Sequence, residues 1–243
     1  MAAARKITEL FLFSALVFSL STASYRRNLV WKDEFTMWGN VVSRSPAKWR
    51  AHSKFGLALY NEGYNEKALD ELKTALLLKP DAYELHNNIG LAYQMMGMRE
   101  AAIREFSLAI ERGQLPSPPY TNLGSLYLRE GDNEKALGYF LKAVETDPLS
   151  TIALEYAGFT YEGLGDYGRA VEMHRRALAL DPGDYNAHYG LAAAYEGKMD
   201  REKAVYHYQK YLKLAPKNTA REQRARTRLK RLLDGGEKRD DAE

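Results

Sequence analysis

The sequence predicts an all-α solenoid of five helix-turn-helix repeats closed by a C-terminal capping helix, and three recurrences predict it. Small residues return every 34 residues, at Gly56, Gly90, Gly124, Gly158 and Ala192 and again at Ala68, Ala102, Ala136, Ala170 and Ala204. Glycines stand midway through the units, at Gly63, Gly97, Gly131 and Gly165. Prolines close them, at Pro80, Pro148, Pro182 and Pro216, with Gln114 as the exception. No insertion breaks the register, so the units are residues 49–82, 83–116, 117–150, 151–184 and 185–218.

Taken from the N-terminus, the first element is apolar. Arg5 and Lys6 precede a run from Leu10 to Leu20, and Ser21-Thr22-Ala23-Ser24 follows it. That order matches a signal peptide, or a short signal anchor, over residues 1–24. Stretched from Ile7 to Ala23 as a helix, the run spans roughly 25 Å, short of a hydrocarbon core, and Glu9 lies within it. Arg5 and Lys6 on one flank are matched by Arg26, Arg27 and Lys32 on the other, so charge does not set an orientation.

Residues 25–48 read as half a unit. Trp38, Val41 and Pro46 fall at the aromatic, small-apolar and proline positions of the same register, which makes Asp33 to Ser45 a second helix without a first. Within each full unit the small residues sit where two antiparallel helices cross, because only a small side chain lets the backbones approach. Phe55, Ile89, Leu123 and Leu191, with Tyr93, Tyr127, Tyr161 and Tyr195, lie on one helical stripe that fills the remaining space. The mid-unit glycines end the first helix in a left-handed cap, and the prolines stop the second. Met199 replaces the glycine in the fifth unit, which predicts a looser turn there. At Gln114, the run Gly113 to Pro119 predicts a stiff, offset joint with a local bend.

After the fifth unit, Ala220 to Leu233 reads as a single helix with Ala225, Leu229 and Leu232 facing inward, ended by Gly235-Gly236. This cap spans 219–234, and the charged tail 235–243 is expected to be disordered.

Composition excludes several functions. Lys+Arg 35 against Asp+Glu 32 gives a net charge of +3 over 243 residues, so no global charge calls for nucleic acid. The absence of cysteine removes disulfides, thiolate metal sites and a cysteine nucleophile. No phosphate-cradling glycine loop, zinc-ligand pair or serine elbow is present, so the chain reads as no enzyme and needs no cofactor.

The strings HNNIGLAYQMMGMREAAIREFSLAI and YTNLGSLYLREGDNEKALGYFLKAVETDP are similar to tetratricopeptide-repeat (TPR) units, and the resemblance covers Trp49 to Asn218. It implies a right-handed superhelix whose first helices line a concave groove, with a protein or extended peptide as the partner. Carried onto this register, the groove positions that would bind it are Arg50, Lys54, Asn61, Asn87, Asn88, Asn122, Arg129, Tyr156, Phe159 and Tyr189. Glu155, Glu162 and Glu196 fall on the same face, which runs from basic and polar to aromatic and acidic. Asn88 and Asn122 are equivalent, and a side-chain amide offers a peptide backbone both a donor and an acceptor. Tyr156, Phe159 and Tyr189 are either an aromatic anchor for a partner or inter-repeat core. The set needed for a carboxylate clamp is incomplete: Ser53, Leu57 and Pro118 do not match it.

His52, His86 and His188 recur at one position, which points to packing rather than to a metal site. The basic run Arg224 to Arg231 reads as the solvated face of the capping helix. Tyr25 to Glu34, with Met37-Trp38 and Ser45-Pro46, is similar to the join between the last membrane helix and the repeats in polytopic TPR proteins related to O-mannosyltransferases. In that family the repeats lie outside the cytoplasm and a multi-helix membrane region, not present in this sequence, carries glycosyl transfer. The expected function is therefore a TPR scaffold, exported or membrane-tethered through an uncleaved N-terminal segment. The alternative is an accessory segment presenting substrate to a separate membrane glycosyltransferase.

Overall fold

The computed structural model describes residues 17–22, 33–113 and 117–240, with side chains up to Asp234. Most of the apolar N-terminal run, residues 25–32 of the segment that carries the membrane-join resemblance, and residues 114–116 of the expected joint lie outside these. Residues 17–22 are helical, and among the described residues no helix is long and apolar enough to cross a membrane. Every labelled element is a helix: α1 Glu34–Arg44, α2 Trp49–Asn61, α3 Asn65–Leu78, α4 Tyr83–Met95, α5 Arg99–Arg112, α6 Ser117–Arg129, α7 Asn133–Thr146, α8 Thr151–Gly163, α9 Tyr167–Leu180, α10 Tyr185–Gly197, α11 Arg201–Leu214 and α12 Ala220–Asp240. The first helices thus begin every 34 residues from Trp49 onward.

The chain divides into two compact units, Met1–Ala102 and Ile103–Glu243. In the first, α1 packs on α2, α2 on α3 and α3 on α4, and α2 also touches α4. In the second, consecutive helices pair from α6 to α12, and the first helices touch along α6, α8 and α10. A first helix therefore meets the next first helix directly, while each second helix sits against first helices. Within each unit this leaves one face of the first helices uncovered.

The crossings explain the small residues. A Cβ on Gly56 would lie 2.8 Å from Leu72, and one on Gly124 would lie 2.6 Å from the Phe140 ring. Leu72, Phe106, Phe140, His174 and Tyr208 occupy one position of the second helix and are fully buried. Burying a side chain such as Phe140 contributes about 2 to 3 kcal/mol. Ala192 keeps the methyl group at the fifth crossing.

Each turn between paired helices closes in one way. The N–H of Tyr64 donates to the Leu59 carbonyl at 2.9 Å and that of Gly63 to Tyr60 at 3.0 Å, with Gly63 at φ 82°. This Schellman arrangement needs a left-handed residue, which glycine adopts without strain. The fifth turn corrects the expectation of looseness. Asp200 donates to Tyr195 at 2.9 Å and Met199 to Glu196 at 3.0 Å, with Met199 itself held at φ 60°. The same hydrogen bonds are kept, and the cost appears as backbone strain at a side chain left 91% exposed. Beyond the turn, Asp132, Asp166 and Asp200 cap α7, α9 and α11 by accepting from Lys135, Arg169 and Lys203 backbone N–H groups.

The ends differ. At α1, Asp33 caps the helix through the Thr36 N–H at 2.7 Å, and Phe35 packs 5.6 Å from the Phe55 ring. At the other end α12 occupies the slot of a sixth first helix. Thr219 Oγ1 accepts from Glu222 N–H while the Glu222 carboxylate reaches back to the Asn218 N–H, a variant of the capping box shifted by one residue. Ala225, Leu229 and Leu232 pack on Tyr208 and Tyr211. The residue at the crossing position is now Arg226, which extends to Glu222 at 2.7 Å. A small side chain is needed only where a second helix crosses, and none of the described elements crosses α12 there. The helix continues to Asp240, past the glycines expected to end it and into the tail expected to be disordered. A glycine costs a helix about 1 kcal/mol, but it stops one only by turning left-handed.

Candidate functional site

In the first unit the uncovered face of α2 and α4 carries polar groups. Arg50, Lys54 and Asn61 are exposed, and the Arg50 guanidinium lies 4.6 Å over the Trp49 ring. Asn87 is buried and Asn88 half-buried, with Asn87 Nδ2 3.5 Å from Asn88 Oδ1. Asn122 is half-buried and Arg129 exposed on α6, in the second unit.

The aromatic residues expected in the groove stand on α8 and α10, each with one side in the core. Tyr156 stacks on Phe140 with centroids 5.1 Å apart and keeps 37% of its surface exposed. Phe159 meets the His174 ring edge-on at 4.8 Å. Tyr189 lies 5.1 Å from Tyr211 and 6.0 Å from Tyr208, both edge-on. Tyr156 ties the fourth repeat to the third, whereas Phe159 and Tyr189 pack on the second helix of their own repeats, and all three stay partly exposed.

Beside them is a group of polar side chains that spacing alone does not bring together. Asp184 caps α10, its Oδ1 accepting from the Asn186 and Ala187 N–H groups at 2.8 and 3.1 Å. The Glu155 carboxyl of α8 is hydrogen-bonded to both Asp184 and the Asn186 amide, and is pushed up to about 7 by burial and then by the Asp184 charge. Asn186 Oδ1 accepts from Arg221 Nη1 at 2.7 Å, and that guanidinium lies 5.5 Å from the Tyr189 ring centre and 5.9 Å from that of Phe159. The available signal for Arg221 is the register itself, which places it on a helix in the next first-helix slot.

Glu162 and Glu196, expected in the groove, turn instead into their own helix pairs. Glu162 Oε1 lies 2.9 Å from His174 Nε2, and Glu196 Oε2 accepts from the Tyr208 hydroxyl at 2.7 Å. In these repeats the buried position of the second helix carries a donor, and the carboxylate follows it. Burial raises Glu162 above the ordinary carboxylate range, with the His174 contact opposing the rise. Arg228 Nη1 donates to the Tyr208 hydroxyl at 3.0 Å, and Arg231 pairs with Glu196. The basic run is therefore not simply a solvated face: Arg228 and Arg231 tie the cap to Tyr208 and Glu196, Arg226 pairs with Glu222 within α12, and Arg224 and Lys230 are exposed.

The recurring histidines act in packing. His52 Nδ1 lies 2.6 Å from Glu71 Oε2 and its Nε2 2.8 Å from the Pro46 carbonyl, tying α1's exit to α3. His188 and His207 face each other with Nδ1 atoms 3.0 Å apart, and His207 is held down to about 4 by burial and then by His188. Among the described residues no cluster of three or more metal-ligating side chains forms.

Family models of tetratricopeptide repeats match residues 46–97, 117–148 and 158–219. The first match begins at Pro46, the last residue of the segment that resembles the membrane join. No curated protein matches the chain. Among solved structures, Pseudomonas aeruginosa PilF is similar at 20% identity over 82% of this chain and 88% of its own, with a TM-score of 0.70. Yeast Tom70 is similar at 15% identity over 84% of this chain and 43% of its own, with a TM-score of 0.72. YrrB, described as a TPR protein with an unusual peptide-binding site, is similar at 23% identity over 74% of this chain and 93% of its own, with a TM-score of 0.55. At these identities the likeness is one of fold. The helix pairs, their register and these matches agree: the chain is a tetratricopeptide-repeat protein, an all-α superhelical scaffold for protein interaction.

Proposed function

We propose that the uncovered first-helix face grips an extended segment of a partner protein. The observation that supports it is the division of labour among the helices. The second helices bury the core, while α2, α4, α6, α8 and α10 keep one face carrying hydrogen-bonding and aromatic side chains. In the first unit the contacts are Arg50, Lys54, Asn61 and Asn88, while Asn87 is buried beside Asn88. In the second they are Asn122, Arg129, Tyr156, Phe159 and Tyr189. Amides such as Asn88 and Asn122 hold a backbone without reading its sequence, and half-exposed aromatics supply anchoring area. The peptide-binding site named for YrrB is consistent with this reading.

Photo-crosslinkers placed in the native host at Asn61, on the first unit, and at Tyr156, on the second, should each capture a partner protein, whereas the same group at Glu172 or Gln209, exposed on second helices, should not. Capture confined to the second-helix positions would overturn the assignment. We also propose that the apolar segment Leu10 to Leu20 directs export or tethers the repeats to a membrane outside the cytoplasm. Fractionation with N-terminal sequencing tests this, and soluble cytoplasmic protein retaining Met1 would reject it.

A further inference from the structure

The geometry points to a seat for an arginine side chain of the partner on the last two repeats, occupied in cis by Arg221 of α12. This rests on the reading that the first-helix face binds a protein segment, and it names the chemistry of that segment.

Four features converge on the Arg221 guanidinium. The Phe159 and Tyr189 rings lie beneath it at 5.9 and 5.5 Å, and the Asn186 oxygen takes its Nη1 hydrogen at 2.7 Å. The other side of the Asn186 amide meets Glu155, which meets Asp184, so the carboxylate of Asp184 and the acceptor oxygens of Glu155 lie behind the hydrogen bond. Aromatic faces, a positioned acceptor and acidic groups together suit a planar, weakly hydrated cation better than a compact ammonium. A cation of that shape is already held there, which shows the seat accepts one.

Three facts suit Arg221 to exchange for a partner's arginine rather than to permanent structure. Its residue is exposed, so solvent reaches the contact. It stands in the first turn of α12, where the positive end of the helix dipole disfavours a cation. The cap is anchored elsewhere, by Ala225, Leu229 and Leu232 on the core and by Arg228 and Arg231 on Tyr208 and Glu196. Replacing Arg221 by an incoming guanidinium exchanges like for like and leaves the helix in place.

The test uses the full chain and two blocked glycine-serine octapeptides, one with a single central arginine and one with lysine, titrated by fluorescence anisotropy. Arg221→Ala should bind the arginine peptide at least fivefold tighter than the unaltered protein, with less than a twofold gain for the lysine peptide. Adding Asn186→Ala should abolish the gain. Arg221→Gln, which keeps a hydrogen-bonding side chain without charge, serves if the alanine variant loses helicity. No gain in a folded Arg221 variant, or an equal gain for lysine, overturns the seat. If that happens while crosslinks at Asn61 and Tyr156 persist, the arginine assignment falls and the interaction face stands; loss of the crosslinks removes the face itself.

Discussion

The third and fourth repeats enclose different chemistry in the same crossing. In the third, Gly124 admits the Phe140 ring, which stacks outward on Tyr156. In the fourth, Gly158 admits His174, which hydrogen-bonds to Glu162 and presses on Gly190 of the next first helix. The fifth repeat follows the polar pattern, with Tyr208 bonded to Glu196. The difference teaches that the small residue sets the approach of the backbones, while the side chain it admits is free to be polar provided a partner meets its donor.

The largest expected effect tests how tightly the polar version is confined. A Cβ on Gly190 would lie 2.3 Å from the His174 ring, and one on Gly158, on the first helix of the preceding repeat, 2.6 Å from it. The ring is held between two backbones, so Gly190→Ala should cost about 3 kcal/mol in urea denaturation. Gly124→Ala should cost less, about 1 to 2 kcal/mol, because Phe140 leans on a half-exposed Tyr156 that can shift. Equal costs would break the distinction.

Next comes the polar pair itself. Glu162→Ala removes the partner of a fully buried imidazole nitrogen and should cost about 1 to 3 kcal/mol. Glu162→Leu combined with His174→Phe gives the fourth repeat the chemistry of the third and should recover most of that loss in the same assay. Failure to recover would mean that Gly190 shapes the space for imidazole alone.

A smaller effect separates the polar repeats by pH. Glu155 holds its proton up to about 7 in the folded chain, against an ordinary value of 4.5. Between those values the folded state binds more protons than the unfolded one, so this group's contribution to stability falls as pH rises from about 4.5 to 7. His207, held down to about 4 from 6.5, acts in the opposite sense, and its contribution is lost as pH falls through that window. Melting temperatures of Glu155→Gln and the unaltered protein from pH 4.5 to 8 should therefore diverge, the variant gaining relative stability as pH rises. Parallel curves would refute the raised Glu155 pKa.

The smallest effect concerns the turns. Met199→Gly should stabilise the fifth repeat by about 1 kcal/mol, because the residue sits at φ 60° and is almost wholly exposed. The urea midpoint reads this directly, and a loss of stability would mean that the methionine side chain has a contact of its own.

The sequence by itself determined the helix pairs, their 34-residue register, the left-handed turns at Gly63, Gly97, Gly131 and Gly165, and the inward face of the cap. Helix period, capping and close approach are encoded in residues a few positions apart, where side-chain size and backbone freedom decide locally. Only the tertiary structure decided that Glu162 and Glu196 turn into the helix pairs, that Tyr156, Phe159 and Tyr189 are half core and half surface, and that Arg221 joins Asn186 across 35 positions. It also decided that Met199 keeps the common turn and that α12 runs past its glycines. Each of these depends on which donor, ring or backbone a neighbouring repeat supplies, and spacing within one helix carries no record of that.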